Sequence, residues 1–206
     1  MSEREQTGKQ AYHHGDLRRA LLAAAEAELI EKGPDGFTLR GCAKRAGVSH
    51  AAPAHHFGDA TGLLSALASE GFERFLSAMK ARAEAVAQDD ADARLIAAGL
   101  GYIDFARANP ALFRLMFSSG KPDGSNAALC TAAGSAFGYL AQAAAHLAGP
   151  EPLSSLKGRR QLAALWAMAH GLADLLLSGR ITFLGGPDGA EEEDDIAAIL
   201  SAAAMR

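Results

Sequence analysis

The chain has 206 residues, 49% of them hydrophobic, 21% charged and 6% aromatic, with a formal net charge of −4. That is too apolar for a disordered protein and long enough to bury a core. No apolar run nears the roughly 20 residues that cross a bilayer, residues 2–16 lack the apolar centre of a signal peptide, and two cysteines, Cys42 and Cys130, are too few for a disulfide framework. The reading is a cytoplasmic protein without membrane contact. Alanine occurs 47 times, and because ordering it costs no side-chain entropy, an all-α fold is expected.

In chain order, residues 1–11 lack periodicity and read as a flexible arm. Asp16 is placed to cap a helix whose stripe is Leu17, Leu21, Ala25 and Leu29, broken by Gly33-Pro34-Asp35-Gly36. Thr38 is placed to cap a short helix from Leu39 to Ala46 that Gly47 stops, and Ser49 to cap another from His50 to His56. After Gly58-Asp59 the spacing predicts helices over 61–87, from Asp89-Asp90 to Asn109, from Pro110 to Phe117, over 127–147, over 155–178, and from the five acids Glu191 to Asp195 to the end. About nine helices and no strand are expected. Residues 12–60 form one domain and residues 61–206 a second helical bundle.

The charge is unevenly placed. Residues 1–60 carry eight basic and eight acidic side chains, so residues 61–206 carry the whole −4. Between Gly36 and Gly58 there is no acid, while Arg40, Lys44, Arg45, His50, His55 and His56 fall there. DNA presents about one negative charge per 1.7 Å of axis, so an acid-free window in an acidic protein points to polyanion contact. The same window, TLRGCAKRAGVSHAAPAHHF, has the layout of a helix-turn-helix. Ala43 is small where two helices would cross, Gly47 suits a left-handed turn, and Leu39, Val48 and Phe57 are apolar anchors.

With its Ala-Gly-Val-Ser core, its His-Phe pair and the following Asp-x-x-x-Leu, the stretch from Leu17 to Leu64 resembles the DNA-binding domain of the TetR family of bacterial transcriptional regulators. The resemblance implies that Thr38 and Arg40 contact DNA, that Ser49, His50 and Ala51 open the recognition helix, and that His55 and His56 lie near its end. Three departures stand out. Pro53 occupies an apolar position of the recognition helix, Ala54 stands where the family usually has a phosphate-contacting tyrosine, and Ala60 replaces a lysine with the same role. Two lost phosphate contacts imply weaker non-specific binding with a shallower salt dependence.

Farther along, Asn109 to Phe117 and Trp166-Ala-Met-Ala-His170-Gly171 resemble the TetR subgroup whose C-terminal domain carries a Trp-His-Gly signature. That likeness implies an effector pocket, for which Phe75, Phe105, Phe113, Met116, Phe117, Tyr139, Trp166 and His170 are the candidates. His170 has a second reading, a hydrogen-bonded core histidine tying two helices together. The family's last two helices form a two-fold dimer interface. Ile196, Ile199, Leu200 and Ala203 supply a seam for it.

No catalytic constellation is found. His13-His14 and His55-His56 are adjacent, so on a helix they point about 100° apart and do not chelate one ion. Neither Gly-x-Ser-x-Gly nor a P-loop is present. No enzyme activity, metal or cofactor is therefore expected. The expected function is a homodimeric repressor that holds double-stranded operator DNA and releases it when a small-molecule effector binds the C-terminal domain. The alternative is a helical interaction protein without ligand sensing.

Overall fold

The structure is a computed structural model that describes the backbone of residues 3–186 and 191–204, with side chains from residue 17 onward except at position 203. Among the described residues there are ten helices and no strand. The chain divides into two compact units, Met1–Gly71 with Ala111–Cys130, and Phe72–Pro110 with Thr131–Arg206.

In the first unit, α1 (Glu3–Gly36) buries the expected stripe, with Leu21, Ala25 and Leu29 all at 1% exposure or less. The helix begins at Glu3, so Asp16 lies within it instead of at its start. Residues 3–16 have no apolar period, but period reports which face is buried, whereas Glu, Arg, Gln, Lys and Ala favour helical backbone anyway. The side chains of Asp16, His13 and His14 lie outside the described residues. Gly33 takes a left-handed φ of 68° and kinks α1, and Pro34 starts a further turn. Next come α2 (Leu39–Ala46), α3 (Ala52–Phe57), α4 (Ala60–Glu84), α5 (Ala91–Ala108) and α6 (Pro110–Phe117). The core of this unit holds Leu63 and Leu67 of α4 with Leu112, Phe113 and Leu115 of α6. The loop after α6 is pinned by the buried Ser65 hydroxyl, which accepts from the Asp123 amide at 2.8 Å, and by an ion pair of Lys121 with Asp35 at 2.8 Å.

The second unit contains α5, most of α7 (Ala127–Ala143), α8 (Ala145–Ala148), α9 (Leu156–Leu177) and α10 (Glu192–Ala204), together with the later part of α4. Asp90 caps α5 through Ala93 and Ser155 caps α9 through Gly158. The expected helix over 127–147 is interrupted at Ala144, and a 3-10 turn, Pro152–Ser154, precedes α9. The loop expected over 179–189 is seen through 186; residues 187–189 lie outside the described residues. One core cluster joins Leu95, Ala144, Leu162, Leu165 and Ala204. Arg82 on α4 bonds Asp104 at 2.7 Å and Glu193 at 2.9 and 3.1 Å, and Arg107 bonds Glu192 at 2.6 Å. Part of the acidic run therefore pairs with α4 and α5, beyond favouring the positive end of its own helix.

Candidate functional site

The helix-turn-helix is built by backbone chemistry. Thr38 is extended at φ −140° and ψ 142°, and its hydroxyl accepts the Gly41 amide at 3.0 Å, capping α2 as expected. Gly47 ends α2 at φ 66° and ψ 31°, and the Val48 amide returns to the Ala43 carbonyl at 3.1 Å. A side chain at this left-handed position would be strained, so glycine defines the turn. Ser49 does not cap α3. That helix starts at Ala52 after a turn in which the Ala52 amide bonds the Ser49 carbonyl, and its N-cap position is Ala51. Pro53 decides this: placed in the first turn, its missing N–H costs nothing there.

Burial sorts the two faces. Cys42 and Ala43 are wholly buried, as is Pro53, and they seat the pair, whereas Leu39, Val48 and Phe57 are only half-buried. The small residues take the role expected of the large ones because two helices approach closely only over small side chains. Burial raises the Cys42 thiol to about 11, so it is an inert filler. Arg18 of α1 sits over the Phe57 ring at 5.3 Å and holds the end of α3. Thr38, Arg40, Lys44, Ser49, His50, Ala51 and His55 are exposed, and His56 is half-buried against Phe57 and His55.

One basic residue of the window is neutralised from outside it. Arg45 Nε donates to Glu28 at 2.6 Å, and its other arm bonds Glu31. Glu28 is only 5% exposed. Its carboxylate lies where a side chain on residue 41 would stand, and the absent side chain of Gly41 makes the room. Lys32 first, and then Arg45, holds Glu31 down to about 2. Arg40 and Lys44 have no ion pair among the described residues.

In the second unit, Phe75, Tyr102 and Phe105 stack edge to face, with centroids 4.6 Å and 5.3 Å from Phe75. The Tyr102 hydroxyl and His170 Nδ1 share a hydrogen bond of 2.7 Å. Burial pushes the Tyr102 hydroxyl well above its ordinary value and His170 below its own. A slot of about 40 Å³ is lined by Met79, Leu95, Ile96, Tyr139, Leu165 and Trp166 among others. A roomier cavity of about 320 Å³ lies among Gln88, Arg94, Tyr139, Gln142 and His146.

Residues 21–67 match the family described as "Bacterial regulatory proteins, tetR family", and residues 95–199 match "Tetracyclin repressor-like, C-terminal domain". The chain belongs to the TetR family. It is thus a DNA-binding transcription regulator and not an enzyme. A protein of unknown function from Rhodococcus sp. RHA1 is 34% identical over 95% of both chains, with a TM-score of 0.73. Two further structures share the TetR fold. One is a TetR-like transcriptional regulator from Rhodococcus sp. RHA1 (20% identity, 92% and 94% coverage, TM-score 0.64). The other is a TetR family transcription regulator from Marinobacter aquaeolei VT8 (18% identity, 94% and 97% coverage, TM-score 0.64). No curated protein matches the chain.

The eight pocket candidates are spread over both units. Phe75, Phe105, Tyr139, Trp166 and His170 fall in the second unit, whereas Phe113, Met116 and Phe117 fall in the first. There Phe113 is buried against Phe117, with centroids 4.9 Å apart, and Met116 packs over Gly71. Trp166 is 41% exposed, and His170 has the hydrogen bond of the core reading, joining α5 to α9. Sequence reasoning missed Glu28, Arg45 and Tyr102 as organisers of these sites. Glu28 carried a usable signal: an acid on the apolar side of the α1 stripe, one residue before Leu29, requires a cation partner.

Proposed function

We propose that this regulator is a homodimeric, ligand-responsive TetR repressor working in the cytoplasm. Its helix-turn-helix reads operator DNA through Thr38, Arg40, Ser49, His50, Ala51, His55 and His56, with Lys44 added. The observation that carries this reading is the sorting of one small motif into a buried apolar side and an exposed polar side free of carboxylates. Residues near the start of a recognition helix meet base edges, whereas hydroxyls and cations beside it meet phosphates.

Dimerisation is supported by α9. Ala164, Met168, Gly171 and Leu175 follow one another at i, i+4, i+7 and i+11; Met168 is 37% and Leu175 39% exposed, and nothing stands within 4 Å of a side chain placed on Gly171. Such a face of small and apolar residues suits close approach of a second copy. The seam expected on α10 is spent within the protomer, since Ile196 and Leu200 are buried and Leu200 packs over Gly99 of α5. Ile199 stays half-buried, and the side chain of Ala203 lies outside the described residues.

Trp166, His170 and Gly171 support a Trp-His-Gly subgroup reading, in which a small molecule entering the second unit favours a form with lower operator affinity. It acts only through its differential affinity for the two forms. The test is selection of bound sequences from random duplexes, followed by mobility shift with unsubstituted protein and His50→Ala. Enrichment of a palindromic site, and loss of preference for it in the variant, is the expected result. Equal binding to selected and random duplexes would overturn the operator reading.

A further inference from the structure

Most arginines that bridge helices meet a side-chain acceptor: Arg45 meets Glu28 and Glu31, Arg82 meets Asp104 and Glu193, Arg107 meets Glu192, and Arg74 meets the amide oxygen of Asn109. Arg94 has no side-chain acceptor among the described residues. It is half-buried on α5 at the wall of the larger cavity. Its one bond among the described residues is a long one, 3.4 Å, to the Val86 carbonyl. A guanidinium has five N–H donors in a planar fork, and leaving most of them unspent beside open space invites an anion.

The charges around it sharpen the choice. Asp92 is occupied by His146 Nε2 at 2.7 Å, and the other His146 nitrogen meets the Ala143 carbonyl. Lys80 lies 5.7 Å over the Tyr139 ring, and Glu84 is felt at the same tyrosine. Gln88 and Gln142 add neutral amide donors to the wall. Tyr139 lines both this polar cavity and the apolar slot that contains Trp166.

We infer that the second unit binds an organic monocarboxylate, its acid group gripped by Arg94 in the polar cavity and its hydrocarbon part passing Tyr139 into the slot beside Trp166. One guanidinium fork matches one carboxylate, and no cationic side chain lines the apolar slot to take a second acid or a phosphate ester. At about 320 Å³ the cavity is at the lower end of small-molecule sites. The inference rests on the ligand-responsive reading for its regulatory meaning, but not for binding itself.

The test uses the full chain with octanoate and its neutral counterpart octanamide, followed by calorimetry and by the fluorescence of the sole tryptophan, Trp166. Octanoate should bind about tenfold or more tightly than octanamide and change the Trp166 emission, because a hydrogen-bonded charge pair is worth that much. Arg94→Gln should weaken octanoate by about tenfold or more and leave octanamide unchanged, and Arg94→Lys should restore part of the loss. Should Arg94→Gln fail to fold, the acid-to-amide comparison on the unsubstituted protein decides alone. Equal affinity for acid and amide, octanoate affinity unmoved by Arg94→Gln, or no octanoate binding at millimolar concentration overturns the inference. Operator release is read separately by mobility shift. Arg94-dependent binding without release upholds the site and removes its regulatory use; release by another compound with no carboxylate binding upholds the repressor and removes the site.

Discussion

Arg40 and Arg45 are five residues apart in the same acid-free window, yet they have different jobs. Arg40 is exposed without an ion pair among the described residues, whereas Arg45 is clamped by Glu28 and Glu31. Arg40→Ala should therefore lower the slope of log affinity against log salt by about 1, and Arg45→Ala should leave that slope alone. Arg45→Ala should instead lower stability, because the buried Glu28 loses its cation. DNA titrations at several salt concentrations and urea melting separate the two effects. A reduced slope in both variants would return Arg45 to the DNA face. At Gly47, replacement by alanine should cost about 1 kcal/mol, since φ is 66°, a left-handed value that strains any residue with a side chain. A melting curve identical to the unsubstituted protein would refute that.

At the scale of helices, α5 and α9 are fastened by Tyr102 and His170. Burial holds His170 below its ordinary 6.5, with a smaller opposing pull from Asp174. As pH falls through 6.5 the unfolded chain takes up this proton first, so the contribution is intact above that value and declines below it. Comparing thermal midpoints at pH 7.5 and 5.5, His170→Asn should be less sensitive to acidification than the unsubstituted protein. Equal sensitivity would show that the Tyr102–His170 link is not titrating. Tyr102→Phe should lower stability by about 1–2 kcal/mol at neutral pH, because His170 Nδ1 loses its partner.

At the scale of the whole molecule, operator reading needs two copies whose recognition helices meet successive grooves. The exposed face of α9 makes a sharp prediction. Ala164→Arg or Leu175→Glu should leave the helical circular dichroism unchanged, shift light-scattering mass to that of one chain and abolish specific DNA binding. A variant that stays dimeric with its charge in place would move the interface off this face. Trp166→Ala tests sensing at the same scale: altered release by effector with normal operator binding would assign it to the pocket, and unchanged release would leave it to packing with Phe137.

The all-α class, the α1 stripe, the Thr38 cap and the Gly47 turn were legible in the residues because each follows from local chemistry: alanine content, four-residue spacing, a hydroxyl before a helix, a glycine after one. The DNA-reading motif was legible for the same reason, being about twenty consecutive residues. What folding across the chain decided was which charges survive and which faces are spent. Glu28 reaches Arg45 from 17 positions away, Leu200 turns inward onto Gly99, and Tyr102 meets His170 across 68 positions. Sequence spacing within one helix cannot report such pairings, since they depend on how separate helices are rotated against each other. Local order was written in the chain; the partners of its charged and polar groups were set only once the helices had packed.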